Sequence, residues 1–569
     1  MAASEPLSKF NSITSDNFEY KPSRVTALFL IHFDVRRGYQ LVWSKQAKSR
    51  PPIDLGGLDY KVLPSGIQEH TTSTVFISHA CDNTVYYGLG RFRQRIVGAD
   101  HESSQISRDD VKMYSLGILC ESTPNPMWKS NEFINNGWEY INKLDDGLEK
   151  FLNGNDYDNF TIFDEVFDNL TNTHLKVGKP NININNHLLS KLPLMFQSLG
   201  PLVFSLFKQC LLRKKVLIFH QNHSKIDNFS SGAFTYLLSL LSMIPNDIKI
   251  YSDALTYSQP LYNIGLNDLE SSLLEFPATI ATTNDDILMY QKNLYDYAVF
   301  LPNEEYGNSY ILKSDTLVNN MKSPLDFLNH RVKATLKDYH KFKLIYKQLL
   351  TRTRSHTTNA STDDLASIKT SNSNVSSRGW GFNSQKDETY LEAEPTWWMD
   401  SATCPISWRE YVWSAFSWFA SAGTVGEDST TLENNDDHPS RPINNDESSL
   451  NDEDSRRKLI QLVEIVGRFH MLTKKWFYLM NEIIREELDE QTQAGASTFT
   501  QSDSNGPLLM NMDEDSKISI ELTYQDIIDM ELDPYSEQDL QFVKDFVILY
   551  WGSVVKNVEI GIGLSGICC

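Results

Sequence analysis

Residues 189–245, LSKLPLMFQSLGPLVFSLFKQCLLRKKVLIFHQNHSKIDNFSSGAFTYLLSLLSMIP, form the longest run of patterned apolar sequence in the chain, and they constrain its fold most. Leu202, Val203, Leu206, Phe207, Cys210 and Leu211 recur at helical spacing. Gly200 and Pro201 stand where that helix should begin, because a proline in the first turn forfeits no hydrogen bond. Arg213, Lys214 and Lys215 follow at its end, where cations favour the negative pole of the helix dipole. Val216–Phe219 is a short apolar run between polar residues and reads as a buried strand. Ser230 or Ser231 can cap a second apolar helix ending near Pro245. Helix, buried strand and helix together predict an α/β core.

The segment PLMFQSLGPLVFSLFKQCLLRKKVLIF resembles the central part of DENN domains: proline, apolar strand, amphipathic helix, basic turn, apolar strand. DENN proteins typically act as guanine nucleotide exchange factors for Rab GTPases, so the resemblance implies that activity and a Rab-family small GTPase as partner. Upstream, the runs 25–33, 39–43, 72–80, 83–94 and 111–120 read as strands. Residues 130–152 read as a helix with Phe133, Trp138, Ile141, Leu144 and Leu148 on one face. This order, with Leu63-Pro64-Ser65-Gly66 before a strand, is similar to the longin-like upstream lobe of DENN proteins.

Composition excludes several alternatives. The 569 residues carry 52 basic and 74 acidic side chains, a net charge of −22. That balance argues against a nucleic-acid partner, and against attraction to anionic lipid through charge alone. The six cysteines, at 81, 120, 210, 404, 568 and 569, have neither metal-type spacing nor disulfide density, as expected in a reducing cytosol. The first residues lack the apolar core of a signal peptide, and no apolar run reaches the ~20 residues of a membrane-spanning helix.

The chain divides by composition. A flexible N-terminus (1–23) precedes the upstream lobe (24–152), and an Asn/Asp-rich stretch with one short helix leads to the α/β core (186–320). Within that core, 276–281 and 297–301 read as strands around a polar turn at Thr283–Asp286. Residues 321–352 begin a helical downstream lobe, with Leu336, Tyr339, Phe342 and Leu344–Tyr346 on the apolar side of one helix. Residues 353–393 are Ser/Thr/Asn-rich and read as disordered. So does 426–455, where ten acidic residues face Arg441 alone and contribute −9 of the charge, and so does 490–515.

Between the first two breaks lies a Trp-rich segment, 394–423, holding Trp397, Trp398, Trp408, Trp413 and Trp418. Pro405 opens a helix of about a dozen residues with Trp408, Val412, Ala415, Phe416 and Phe419 on one side. It is expected to dock on the C-terminal helices; an interfacial membrane helix or a partner-binding helix is the alternative. The run ISWREYVWSAFSWFASAG resembles a motif of the LCHN subgroup of DENN proteins. Residues 456–489 read as a long amphipathic helix, lined by Leu459, Leu462, Ile465, Phe469, Leu472, Trp476, Leu479 and Ile483. Residues 516–560 hold a strand, a short helix and a last helix over 533–560 that Ser536 caps. The expected fold is therefore α/β: a longin-like N-terminal lobe, an α/β DENN core and a helical C-terminal lobe, with disordered insertions.

No P-loop, HExxH, CxxC or GxSxG motif is present, and no catalytic residue, metal or cofactor is expected. Gly561-Ile-Gly563-Leu-Ser-Gly566 matches GxGxxG, but no helix follows to aim its N-terminus at a phosphate. The tail 561–569 ends in adjacent thiols, Cys568 and Cys569, and these are the candidate lipidation sites. Two acyl or prenyl chains would hold a protein stably on a membrane where one is marginal. The ending is not a CaaX box, and S-palmitoylation is the favoured modification. Together these features predict a cytoplasmic exchange factor held peripherally on the cytosolic face of endomembranes or lipid droplets. A lipid-anchored adaptor that binds a GTPase or another partner without exchanging it remains open.

Overall fold

The computed structural model describes residues 23–48, 52–81, 84–96, 111–121, 136–171, 186–220, 224–250, 252–291, 293–304, 307–319, 330–354, 394–405, 447–494 and 517–561. The 353–393, 426–455 and 490–515 breaks fall largely outside these residues.

Five antiparallel strands build the N-terminal unit: β1 (Val25–Asp34), β2 (Gly38–Gln46), β3 (Thr72–Cys81), β4 (Thr84–Ile96) and β5 (Val111–Cys120), in the order β2-β1-β5-β4-β3. Alternation along β1 splits its side chains between two cores. Leu28 and Leu30 face helices α1 (Ile141–Asn153) and α2 (Thr161–Thr171) in the main core. Ala27, Phe29 and Ile31 face Leu55, Leu58 and Val62 from the loop that covers the opposite side. Arg91 and Arg93 both hold Asp145 of α1, fastening helix to sheet. Of the helix expected over 130–152, residues 130–135, Phe133 among them, lie outside the described residues; α1 starts at Ile141, after Gly137 turns the chain at φ 79° and a 3₁₀ turn spans Trp138–Tyr140.

The central unit contains α3 (Leu192–Leu199), α4 (Leu202–Leu211), β6 (Val216–Phe219), α5 (Asn228–Leu241), β7 (Gln259–Leu261), β8 (Thr279–Thr283), β9 (Tyr297–Phe300), β10 (Tyr310–Lys313) and α6 (Ser314–Asn319). Residues 193–199 are helical and not the expected strand. Leu192, Met195, Phe196 and Leu199 bury one helical stripe, with Pro193 in the first turn. The cap of α5 is Asp227, which accepts from the Ser230 amide, and not a serine. Almost every side chain of α5 is buried, which makes it the axis of the molecule. The sheet order is β10-β9-β6-β8-β7, with β6 parallel to β8 and β9, β7 parallel to β8, and β10 antiparallel to β9.

The C-terminal elements pack back on this core: α7 (Leu336–Arg354), the short α8 (Trp397–Asp400), α9 (Glu447–Ala494), β11 (Ile518–Thr523), α10 (Tyr524–Asp529), α11 (Glu537–Trp551) and β12 (Val555–Gly561). On α7 the buried side is Tyr339, Phe342, Ile345, Tyr346 and Leu349, while Leu344 faces outward. Helix α9 begins inside the acidic segment expected to be disordered, and runs 48 residues. Its buried stripe keeps the expected Leu462, Ile465, Phe469 and Trp476, leaves Leu472, Leu479 and Ile483 half-buried, and admits three polar residues, His470, Thr473 and Lys474, the last paired with Asp247 at 2.7 Å. The Thr473 hydroxyl bonds its own helix at Phe469 O, and His470 reaches the Leu240 carbonyl at 2.7 Å. Burial holds His470 near a pKa of about 4, hence neutral. The helix expected over 533–560 stops at Trp551; Val555, Val558 and Ile560 then form β12, parallel to β11. Tyr550 donates to the Leu211 carbonyl at 2.7 Å, across 339 positions of sequence.

Lys208 of α4 bridges Asp338 of α7 and Asp539 of α11 in a buried triad. Burial disfavours its ammonium, but the two carboxylates outweigh that and raise its pKa.

Of the Trp-rich segment, 394–405 is described; Trp408, Trp413 and Trp418 lie outside the described residues. Trp398 docks on α7; the helix expected from Pro405 onward, and its docking on the C-terminal helices, lie outside the described residues. It meets Phe342 and Tyr346 edge-on, with centroids 4.9 and 4.7 Å away. Gly200, at φ 55°, makes room: a Cβ there would lie 2.4 Å from the indole Cδ1. Backbone bonds from Ala334 N to Ala402 O and from Cys404 N to Ala334 O clip the segment in place. Trp398→Ala is expected to cost about 3–5 kcal/mol, as for other fully buried aromatics, read as an earlier denaturant midpoint.

Candidate functional site

The four parallel strands β6, β7, β8 and β9 end at one edge of the central sheet. The chain leaves β6 to one side, toward β7 and β8, and returns to its other side as β9. Outside the carboxyl ends of such strands, at such a reversal, open α/β sheets place their binding sites. Here polar residues follow the strand ends. His220 Nδ1 lies 3.0 Å from Asn284 Oδ1, Asn284 Nδ2 donates to Asn263 Oδ1 at 3.3 Å, and Asn263 Nδ2 donates to the Lys61 carbonyl at 2.7 Å. The chain of contacts thus crosses from the central sheet into the N-terminal unit.

A buried ion pair fixes that crossing. Lys61 Nζ reaches Asp268 Oδ1 at 2.5 Å and the Ser78 carbonyl at 2.8 Å. Asp268 also accepts the Gly265 amide at 2.9 Å, closing its own loop. Ser78 on β3 also gives its amide to Tyr262 O at 3.1 Å, and its hydroxyl accepts the Tyr262 amide at 2.8 Å. Burial lowers the Lys61 pKa and Asp268 pulls it back up. His79 next door contacts the Asp54 carbonyl at 2.5 Å, and burial lowers its pKa too.

Apolar side chains flank this seam on exposed positions. Tyr60, immediately before Lys61, is 60% exposed and stacks edgewise on Tyr39, centroids 5.5 Å apart. Leu266 and Leu269 bracket Asp268, and Ile287 and Tyr290, 55% and 52% exposed, follow Asn284. Three loops, 57–61, 263–269 and 284–290, therefore present large apolar groups around a rigid buried pair. No group of three or more His, Cys, Asp or Glu is placed to hold a metal among the described residues. A separate cavity of about 280 Å³ beside Arg93, Arg95 and Glu149 is structural, since Arg93 holds Asp145 and Arg95 bonds the Leu152 carbonyl.

Cys568 and Cys569 lie outside the described residues, as does most of the GxGxxG match. No helix among the described residues is long and apolar enough to cross a membrane.

Residues 28–311 match the family model of DENN domain-containing protein 11, a span from β1 into β10 that contains both sides of the seam. The chain carries a DENN-type domain. Its mixed α/β sheets and helices are consistent with that family. Residues 403–568 match a second family, described as a domain of unknown function (DUF4484). The chain is 24% identical over 570 residues to "Uncharacterized protein ANR2" of Saccharomyces cerevisiae, covering 96% of this chain and 94% of that one. It is 24% identical over 330 residues to "Uncharacterized protein C119.16c" of Schizosaccharomyces pombe, covering 50% of this chain and 65% of that one. No solved structure matches.

Sequence reasoning marked Thr283–Asp286 as a polar turn but gave no residue of the seam a binding role. Its signals were faint: an Asn just after β7, another just after β8, and a lysine in an otherwise apolar loop. Removing one partner of a buried pair leaves a charge without its counterion. Lys61→Met is therefore expected to destabilise by roughly 3–5 kcal/mol, and Lys61→Met with Asp268→Leu by clearly less; equilibrium denaturation of both variants decides it.

Proposed function

We propose that this protein is a guanine nucleotide exchange factor for a Rab-family small GTPase, which docks on the seam between the N-terminal and central units. The observation that carries the reading is the exposed apolar face built over the Lys61–Asp268 pair, inside the span of the DENN family match. Exchange requires no acid, base or metal from the factor. It requires a surface that binds the nucleotide-free GTPase better than the loaded one, so that nucleotide release is favoured by differential binding. A face stiffened by a buried ion pair and side-chain amides suits that task, because little ordering is left to be done when the partner arrives. Within the DENN family we read the chain as similar to the LCHN subgroup, a reading supported by the Trp-rich run ISWREYVWSAFSWFASAG.

Nucleotide release from a panel of Rab proteins tests the activity. With one of them the purified protein is expected to accelerate release at least about tenfold, equivalent to roughly 1.4 kcal/mol off the barrier. Tyr60→Ala with Leu266→Ala should remove most of that acceleration while leaving the melting curve unchanged, since both side chains are exposed. Stable binding of a Rab without accelerated release would make the protein an adaptor.

We further propose that the C-terminal thiols anchor it. A chain of net charge −22 is repelled by anionic membrane surfaces, so residence on one needs a term that outweighs repulsion. Acyl or prenyl chains on Cys568 and Cys569 supply that term and enter only the leaflet they face, whether of an endomembrane or of a lipid droplet. Cys568→Ser with Cys569→Ser is expected to move the protein from the membrane fraction to the soluble one, and hydroxylamine to release it if the links are thioesters. A double variant that still sediments with membranes would assign the anchoring to another part of the chain.

A further inference from the structure

We infer that the seam selects its partner by charge: the docked GTPase presents an apolar patch bordered by basic residues. This rests on the docking face proposed above and adds the chemistry of the partner's matching surface.

The three seam loops carry carboxylates beside their apolar groups. Asp54 and Asp59 precede Tyr60 on the loop before Lys61. Glu270 follows Leu269, and Asp285 and Asp286 precede Ile287. Asp54, Glu270 and Asp286 are exposed, and Asp59 and Asp285 are half-buried. The one cation of these loops within the described residues is Lys61, and it is buried against Asp268. The nearest exposed basic pair is Arg36-Arg37, at the tip of the hairpin that carries Tyr39. The face thus carries carboxylates along the two central-unit loops beside its apolar groups, and exposed cations stand at the hairpin tip, Arg36-Arg37, and in the loop after β6, Lys225, next to the Ile226 carbonyl that contacts His220.

An interface of this composition follows a general pattern. Apolar and aromatic groups supply affinity once dehydrated, and the charged rim sets partner choice, register and encounter rate. A partner with acidic residues at the same places would set like charges against each other across a closed interface, at a cost large enough to exclude it. The polarity also fixes orientation: the partner's basic border meets loops 263–270 and 284–290.

Binding kinetics separate the two claims. The probe is the nucleotide-free Rab that the wild-type protein captures most strongly from the panel. Between about 0.1 M and about 1 M salt the screening length shrinks from about 10 Å to about 3 Å. Over that range the association rate of the wild type is expected to fall at least about tenfold, with little change in dissociation. Glu270→Lys with Asp286→Lys, both exposed, should lower association at low salt by a similar factor and flatten the salt dependence. Tyr60→Ala should instead speed dissociation and leave the salt slope as it was. A wild type that binds the Rab with no salt dependence, or a charge-reversed variant that binds as fast as the wild type, overturns the charge selection and leaves the docking face standing. Failure of the wild type to capture any Rab overturns the docking reading and the charge selection together.

Discussion

The buried triad of Lys208, Asp338 and Asp539 is the constraint on which the rest of the molecule depends. Helices α4, α7 and α11 come from three distant parts of the chain, and one ammonium between two carboxylates joins all three. Two carboxylates against one lysine leave an excess negative charge, which Lys341 meets from the next turn of α7 at 3.2 Å. Asp338, facing both ammoniums, has its pKa lowered although burial opposes it. Asp539 has its pKa raised by burial, with the charge of Asp338 adding to it. A buried charge tolerates no vacancy among its partners, so the three helices have one mutual arrangement and no near alternatives. Around that point the packing is apolar and aromatic: Phe207 and Phe469 meet edgewise at 5.0 Å, and Trp476 lies over Phe542 at 5.1 Å.

The seam applies the same device to a different end. Lys61 and Asp268 are also a buried pair, but they join two units and stand directly beneath exposed apolar groups. Rigid support below and apolar groups above are what a binding face needs if it is to distinguish two states of a partner, because a compliant face would adapt to both. The central sheet contributes the geometry. Its parallel strands end together, and from the loop after β7 Asn263 reaches the Lys61 carbonyl of the N-terminal unit.

Much of this was legible in the sequence where the pattern was local. The alternation of β1 to β5, the amphipathic α4 and the apolar β6 were expected within a few residues of where they lie. Errors arose where a short apolar run fits two periods. The run 192–199 is as apolar as a strand, and only the spacing of Leu192, Met195, Phe196 and Leu199 marks it as a helix. The region after Trp551 continued the hydrophobic pattern of α11, and the valines that make it a strand have their partner in β11, some three dozen residues earlier in sequence. Strand β10 was not anticipated, since four residues closing an edge leave little trace. The seam was out of reach for a simpler reason. Its central pair is separated by 207 positions, and neither residue stands in a motif. The thiols at 568 and 569 were conspicuous by chemistry alone and remain the proposal of a tail outside the described residues.

The bond from Tyr550 to Leu211 spans 339 positions, and the link from Lys208 to Asp539 spans 331. These distances are also times. A ribosome adding about 5–20 residues per second needs on the order of 20–60 s to travel from one partner to the other. Throughout that interval α4 and α5 have emerged with their apolar faces uncovered, and Lys208 has no second carboxylate. The central unit therefore cannot close as it is made; it waits for the last tenth of the chain. During synthesis the protein is a client for whatever in the cell shields apolar helices, and a messenger cut short before codon 539 would yield a product with a buried-charge defect and no prospect of repairing it.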